Sequence, residues 1–569
     1  MKNTILLLLN AGITGLLVAA LTTLQAQPTN YPLYRELPGD PYIPVARAAR
    51  RTAPPYQRSG THFSIRQVNT NDQGQNILGD AANEPSIAID PTNPLRMAIG
   101  WRQFDTIASN FRQAGNAYSN DGGQTWIAPE PIEAGVFRSD PVLDADRDGN
   151  IHYNSLSTAG GFSCTVFRSS ADNNWDAGTF AYGGDKQWMV IDRTTGGAGN
   201  FYESWSAGIS NCDGGFTRST DQGLSYENCS SIPENPAWGT LAVGPDGELY
   251  AAGVVGAGIL IARSVNAGQP IGTLEWDFNT VLDPAGYIGN FDGPNPAGLL
   301  GQIWIQVDQS SGPSRGYVYL LWTVVNAVTL DPADVMFARS TDGGLTWSAP
   351  LRLNDDVSNT NYQWFGTLSV APNGRIDVIW LDTRDNPGTY LSRLYYTYSL
   401  DGGISWSPDE ALSDSFDPHQ GWPNQNKMGD YFHMLSDGEA AHLAWAATFG
   451  GEQNVYYSRI VPDVPLAAHE NGTAAAVSQI APNPFVDQTI IRYTLRQKAE
   501  LRIAISDVFG NTVKILQHGE AGAGEHFAVW DGADNQGRPV VAGIYFCTLQ
   551  LENPAVRIVH RVVRSADSH

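Results

Sequence analysis

Ser340-Thr-Asp342-Gly-Gly344-Leu-Thr346-Trp347 is a phrase this chain writes four times. The other copies are Ser119-Asn-Asp121-Gly-Gly123-Gln-Thr125-Trp126, Ser219-Thr-Asp221-Gln-Gly223-Leu-Ser225-Tyr226 and Ser399-Leu-Asp401-Gly-Gly403-Ile-Ser405-Trp406. Their common pattern is Ser-x-Asp-x-Gly-x-Ser/Thr-aromatic. The Asp can accept backbone N–H groups of its own turn, and the Gly admits a positive φ. The hydroxyl residue closes the turn, and the aromatic is expected to pack under the next strand. Each phrase is therefore a hairpin turn with its own plug. Its recurrence marks a stacked or radial array of supersecondary units.

Degenerate copies fill the gaps. Ser170-Ala-Asp172 keeps the first half, Ser264-Val-Asn266-Ala-Gly268 replaces Asp with Asn, and Ser458 ends a strand like the one before Ser399. The marker serines at 119, 170, 219, 264, 340, 399 and 458 are spaced by 51, 49, 45, 76, 59 and 59 residues, as four-stranded propeller blades require. Each marker follows an apolar strand, a tight turn and a second strand, as at Pro85–Trp101, with turns such as Pro245-Asp-Gly247 and Pro372-Asn-Gly374. Thr61–Asn69 is left over as a strand that would close the ring and remove the open edges.

The four phrases resemble the Asp boxes (BNR repeats) of sialidase-like β-propellers. The expectation is an all-β chain, with a seven-bladed propeller over residues 61–461 and six blades, the number in sialidases proper, as the alternative. Fifty-nine Gly, 34 Pro and 16 Trp in 569 residues suit such a turn-rich protein. A formal charge of −24 argues against nucleic acid as a partner, because phosphate binding needs a basic surface.

Residues 1–26, with Lys2 before the apolar run Ile5–Leu24, read as a secretory signal peptide; a membrane anchor is disfavoured by Asn10, Thr14 and Thr22-Thr23 inside the run. Residues 27–60 form an extended leader. Export permits disulfides. Cys212 and Cys229 flank the hairpin around Asp221 and are expected to pair, whereas Cys164 and Cys547 are expected to be buried free thiols.

The repeat stops at a linker, 462–477, and a compact β module follows over 478–569. Alternating strands and Gly turns indicate a small Ig-like β-sandwich. Pro482-Asn-Pro-Phe485, Asp507-x-x-Gly510, Trp530-Asp-Gly532 and Ala542-Gly-Ile-Tyr-Phe546, in that order, resemble the C-terminal sorting domain of type IX secretion in Bacteroidetes-type bacteria. The resemblance implies an outer-membrane secretion machinery as partner, and a secreted or cell-surface location. An ordinary Ig-like accessory module is the alternative.

Strand order places the 1–2 turns and the Asp boxes on one end of a propeller, leaving the other for function. The residues expected there are Glu84, Arg102, Asp140, Asp185, Lys186, Glu203, Asp382, Arg384, Asp430 and Tyr431, with Trp101, Trp205 and Trp364 as sugar-stacking platforms. The sialidase resemblance implies three arginines clamping a carboxylate and a Tyr nucleophile primed by a Glu. Arg102 and Arg384 would supply two arginines, and Tyr431 with Glu203 the pair; Asn83-Glu-Pro-Ser-Ile87 stands where the family carries its first arginine. Two readings follow. One is a propeller that binds an extracellular glycan or glycoprotein; the other is a sialidase-like glycoside hydrolase using paired carboxylates such as Asp140 and Asp382. The sequence does not decide whether the chain is an enzyme. No cofactor is expected beyond a structural calcium: Asp144-Ala-Asp146-Arg-Asp148-Gly149 has calcium-loop spacing, but Ser155 stands where an EF-hand needs Glu, and a plain turn is the alternative.

Overall fold

A computed structural model describes residues 40–46, 49–158, 161–196, 199–210, 212–269, 274–289, 293–326, 328–462, 475–495, 497–507, 511–551 and 556–565. The expected signal peptide and most of the linker lie outside these residues. The chain divides into two compact units at the Val461/Pro462 junction, and the described residues hold no α-helix.

The first unit is a β-propeller; besides a two-stranded pair of Thr52–Ala53 with Asn76–Ile77, seven antiparallel sheets follow one another among the described residues. Their inner strands are Ala81–Ile89, Ser139–Ala145, Trp188–Asp192, Leu241–Val243, Trp304–Val307, Gln363–Val370 and His433–Ser436. Each inner strand touches the next in that order, and the last touches the first. Most are buried at nearly every position rather than at alternate ones, polar residues such as Asn83, Glu84, Asp140 and Gln363 included. Phe63–Gln67 pairs antiparallel with Asn454–Ile460, with Ile65 opposite Ser458, as the fourth strand of the last sheet; Gln57–Ser59, from the expected leader, pairs outside it as a fifth.

The repeated phrases fold alike. In each copy the Asp accepts the backbone N–H of the Ser/Thr four residues on, at 2.9 Å, and that residue's hydroxyl, at 2.6 Å. The leading Ser accepts the Gly N–H at 2.8–2.9 Å. The aromatic plug differs from expectation: it packs across to the preceding sheet. Trp126 lies 5.2 Å from Tyr457, and Trp406 5.0 Å from Phe337. Gly123 and Gly403 permit this, having φ of 82° and 80°. A Cβ at either would stand 2.2 or 2.6 Å from the same partner rings.

Cys212 and Cys229 are disulfide-bonded, while Cys164 and Cys547 are buried free thiols. In the second unit, a sheet of Ala475–Ala481, Thr489–Leu495 and Gly524–Trp530 and a sheet of Thr512–Ala521, Ala499–Ser506, Gly543–Leu551 and Val556–Arg564 share one hydrophobic core. Three of its sequence motifs meet there: Trp530 packs on Phe485 at 5.2 Å and on Tyr545 at 5.0 Å.

Candidate functional site

At the end away from the Asp boxes, a positive-φ residue stands within four residues of the start of each inner strand, before it or inside it. The seven are Glu84 (φ 54°), Asp140 (48°), Lys186 (59°), Trp238 (57°), Gly301 (138°), Phe365 (56°) and Gly429 (101°). Non-glycine residues adopt this conformation at a cost of about 1–2 kcal/mol each, and such strain gathers where side chains must be aimed. Here it accompanies a break in ladder register at Asn83/Ser86, Ser139/Val142 and Trp364/Thr367, which turns the strand start inward.

The charged members of this ring converge with their neighbours on the axis. Lys186 Nζ, from the third sheet, is 2.7 Å from Asp430 Oδ2, from the seventh; Lys427 Nζ is 2.8 Å from the same oxygen. Asp185 Oδ1 lies 3.4 Å from Lys186 Nζ. Arg102 Nε approaches Glu84 Oε2 at 2.8 Å but donates its proton to Asn83 Oδ1 at 2.9 Å, so that pair is held by charge. Ser139 donates to Asp140 at 2.6 Å and receives Arg112 Nε at 2.9 Å. Four acids, Glu84, Asp140, Asp185 and Asp430, thus face four bases, Arg102, Arg112, Lys186 and Lys427. All eight are buried.

Burial alone would raise every carboxyl in this cluster and lower every base. For Asp430 and Asp140 the neighbouring lysines and Arg102 outweigh it, holding Asp430 well below and Asp140 below the ordinary range. For Glu84 and Asp185 burial wins over Arg102 and Lys186 respectively, pushing them up to about 8 and about 6. Burial lowers Lys427 to about 8 against the pull of Asp430, and Arg112 to about 10. Lys186 is instead raised well above its ordinary value, because Asp185, Asp430 and Asp140 overcome its burial.

Next along the inner strands lies an aromatic plug. Trp188, Trp304 and His433 come from the third, fifth and seventh sheets, which are not ring neighbours. Their contacts at 4.9, 5.8 and 5.2 Å can only be made across the axis. Tyr431 joins them, 5.5 Å from Trp188. Two loops close the other side, clipped by buried Asn295. Its amide donates to Leu299 O and Gly429 O while its Oδ1 receives Met428 N–H, and Leu299 N–H reaches Asp430 Oδ1 at 2.8 Å.

Several sequence expectations are corrected by this geometry. Tyr431 and Glu203 are not partners: the Tyr431 hydroxyl donates to Pro141 O at 2.7 Å, and Glu203 accepts Asn154 Nδ2 at 2.7 Å and lies beside Tyr226. Burial pushes Glu203 up to about 8. Asp382 and Arg384 belong to a separate group at the rim of the sixth sheet. Asp382 accepts Trp380 Nε1, Arg384 N and Arg384 Nε, all at 2.8 Å. Arg384 also reaches Asp355 at 2.6 Å and Asp409 at 3.1 Å. Trp101, Trp205 and Trp364 are buried and form no platform; Trp364 Nε1 donates to Ser392.

In the Asp144–Asp148 segment two of the three acids are engaged by protein groups. Asp144 accepts Ile191 N–H and Arg193, and Asp146 accepts Asp148 N–H, Asn150 and His152, while Asp148 is exposed. Among the described residues no group of three or more His, Cys, Asp or Glu is arranged to hold a metal.

Sequence reasoning missed Arg112 and Lys427. Both sit on the functional end, Arg112 just before a third strand and Lys427 three residues before Asp430, positions that a search confined to the ends of the first two strands passes over.

Residues 486–554 match the FlgD Ig-like domain family. No curated protein matches the chain. Three solved structures resemble it. The surface component PorZ of the type-IX secretion system of Porphyromonas gingivalis is 13% identical over 84% of this chain and 59% of its own, with a TM-score of 0.37. The BP39L lectin of Burkholderia pseudomallei is 11% identical over 66% and 98%, at 0.41. The Hadza microbial sialidase Hz136 is 13% identical over 67% and 66%, at 0.34.

Proposed function

We propose that this chain is a secreted or cell-surface protein whose seven-bladed, sialidase-like propeller binds an extracellular glycan or protein ligand, exported through its C-terminal Ig-like domain. Seven sheets whose inner strands touch in cyclic order support the blade count. The disulfide supports an oxidising compartment. The observation that carries binding over catalysis is the state of the axial carboxylates. A glycosidase presents two carboxyls to substrate and, when inverting, leaves room for a water. Here Glu84, Asp140, Asp185 and Asp430 are enclosed and lie among four buried cations.

A glycan array read for both binding and release of reducing sugar tests this. Binding without turnover is expected. The hydrolase reading has one observation in its favour: neighbouring Glu84 and Asp140 are driven in opposite directions, the signature of an acid and a base. Sugar release that disappears in Glu84→Gln would establish it.

A further inference from the structure

Opposite the Asp boxes, the rim of the sixth and seventh sheets carries four aromatic rings in a continuous row. Tyr362 lies 5.6 Å from Tyr390, Tyr390 lies 4.8 Å from His419, and His419 lies 4.8 Å from Trp422. They come from three loops that all emerge at this end: 353–362 before the inner strand Gln363–Val370, 383–392 between Ile376–Asp382 and Arg393–Ser399, and 412–432 before His433–Ser436. Tyr390 is 38% exposed and the other three are partly buried, Tyr362 against the hydrophobic core beneath, so the row is a ledge at the edge of the core.

The rings are held in place before any ligand arrives. Tyr362 is fixed by a reciprocal pair with Thr383: its N–H donates to Thr383 Oγ1 at 2.9 Å and its carbonyl accepts Thr383 N–H at 3.1 Å. His419 Nε2 donates to Gly293 O at 2.9 Å, which sets its tautomer, and its N–H reaches Asp417. Gly293 serves both rings. Its φ is 101°, and a Cβ there would stand 2.6 Å from the Tyr362 ring. Asn386 Nδ2 bridges to Ser415 Oγ at 3.0 Å, tying the second loop to the third. Rings ordered in advance lose little entropy when a ligand stacks on them.

We propose that this row is a subsite for a neutral oligosaccharide chain, whose pyranose C–H faces would lie on the ring faces while its hydroxyls meet the polar loop groups on either side. The inference rests on the glycan-binding reading above and gives it a place and a ligand class. Two features argue for a sugar that carries no negative charge. The chain's formal charge is −24. On this rim the carboxylates of Asp355, Asp385 and Asp414 are 41, 35 and 58% exposed; each is paired with an arginine that is less exposed than it, Arg384 at 14%, Arg393 at 26% and Arg58 at 33%, and Arg384 is shared with Asp356, Asp382 and Asp409, so carboxylate outweighs guanidinium at the surface. An acidic glycan would meet like charge here, and a neutral one would not.

Calorimetric titration of the full chain with cellohexaose, laminarihexaose, xylohexaose and chitohexaose, beside 3′-sialyllactose and hexagalacturonate, tests the proposal. At least one neutral hexasaccharide should bind. Tyr390→Ala and Trp422→Ala should each weaken it about tenfold or more, a loss of about 1.4 kcal/mol, with the melting temperature unmoved. Tyr390→Phe should bind like the parent, because the ring and not the hydroxyl is used. Neutral-sugar binding that survives both alanine variants overturns the subsite while leaving the glycan-binding reading intact. Binding of only the acidic sugars overturns the ligand class. Failure of the parent to bind any of these sugars overturns both the subsite and its ligand class.

Discussion

Asp430→Asn is the substitution that best separates a closed charge network from an open binding funnel. Asp430 Oδ2 is the shared counterion of Lys186, at 2.7 Å, and Lys427, at 2.8 Å, with all three side chains 6% exposed or less. Asparagine keeps the shape and still accepts Leu299 N–H, so the change removes charge rather than volume. Removing one partner of a buried ion pair costs about 3–5 kcal/mol, because the other charge stays buried without compensation. The two lysines do not contribute equally. Lys427 is already lowered to about 8 by burial and can shed its proton near neutrality, whereas Lys186 is held charged by three carboxylates. Most of the loss therefore comes from Lys186, and about 3–5 kcal/mol is expected at pH 7. It would be read as a fall in the urea midpoint of the propeller transition at constant slope. The pH dependence follows from the direction of the shift. The folded Asp430 carboxyl lies well below its ordinary 3.8, so its contribution is whole above that value and drains away as pH falls below it. The gap between parent and variant should be no smaller at pH 5 than at pH 7, since discharging Lys427 in the variant costs more at lower pH, and it should shrink from pH 5 to pH 3. A loss under about 1 kcal/mol at pH 7, within the range of solvated surface pairs, would mean that the lysines are hydrated and that the axis is an open funnel after all.

Asp342→Ala should lower stability by about 1–2 kcal/mol, since an exposed turn loses one charged acceptor serving a hydroxyl and a backbone N–H; urea titration checks it, and an unchanged midpoint would refute the role of the phrase as a turn lock. Glu203→Gln tests the opposite linkage. The folded Glu203 lies at about 8 against an ordinary 4.5, so its stabilisation is whole below 4.5 and is lost as pH rises toward 8. The parent should therefore weaken between these pH values by more than the Gln variant does, in melts at pH 4.5 and 8, the remainder in the variant coming from Glu84 and Asp185, which are raised in the same direction. Cys212→Ser with Cys229→Ser should cost about 3 kcal/mol, the chain-entropy value for a loop of similar size; equal stability of the parent with and without reductant would contradict it. Asp382→Ala should unfold the sixth sheet's rim rather than only abolish binding, because Trp380 Nε1, Arg384 Nε and Arg384 N–H all lose their acceptor. A variant that melts like the parent would return Asp382 to the list of functional groups.

The fold was legible because its signals are local. The Ser, Asp and Gly of each phrase satisfy one another within five residues, so a turn is written wherever they recur. Four good copies set a period from which worn copies could be found. The strand at Phe63–Gln67 was legible for a different reason: a ring of antiparallel strands needs an edge partner, and this was the strand left over. What the phrases could not tell was the direction of their aromatic plugs. Trp126 and Trp406 cross to the preceding sheet, and that depends on a tertiary neighbour, Tyr457 or Phe337, which no local pattern identifies.

The site was half legible, and the missing half has a physical cause. Strand ends were enough to collect Glu84, Asp140, Asp185, Lys186 and Asp430, which do meet on the axis. They were not enough to tell an occupied axis from an empty one. The residues that fill it, Trp188, Trp304 and His433, sit at unremarkable places in three strands up to 245 residues apart, and only the closure of the ring brings them together. The left-handed positions were hidden for a related reason. Glu, Asp, Lys, Trp and Phe occupy five of the seven, so the conformation is imposed by the ring and not announced by glycine. Asp382 and Arg384 misled because a carboxylate and a guanidinium two residues apart at a strand end suit a ligand clamp and a structural clasp equally well in sequence. What separates them is whether each charge is already answered. Arg384 lies among Asp355, Asp356, Asp382 and Asp409, and the Lys186–Asp430–Lys427 cluster is enclosed. Among the described residues, ligand contact is proposed at the aromatic rings of the rim. Recognition by this propeller is therefore expected to run through stacking at its edge, with the charges at its centre holding the blades in place.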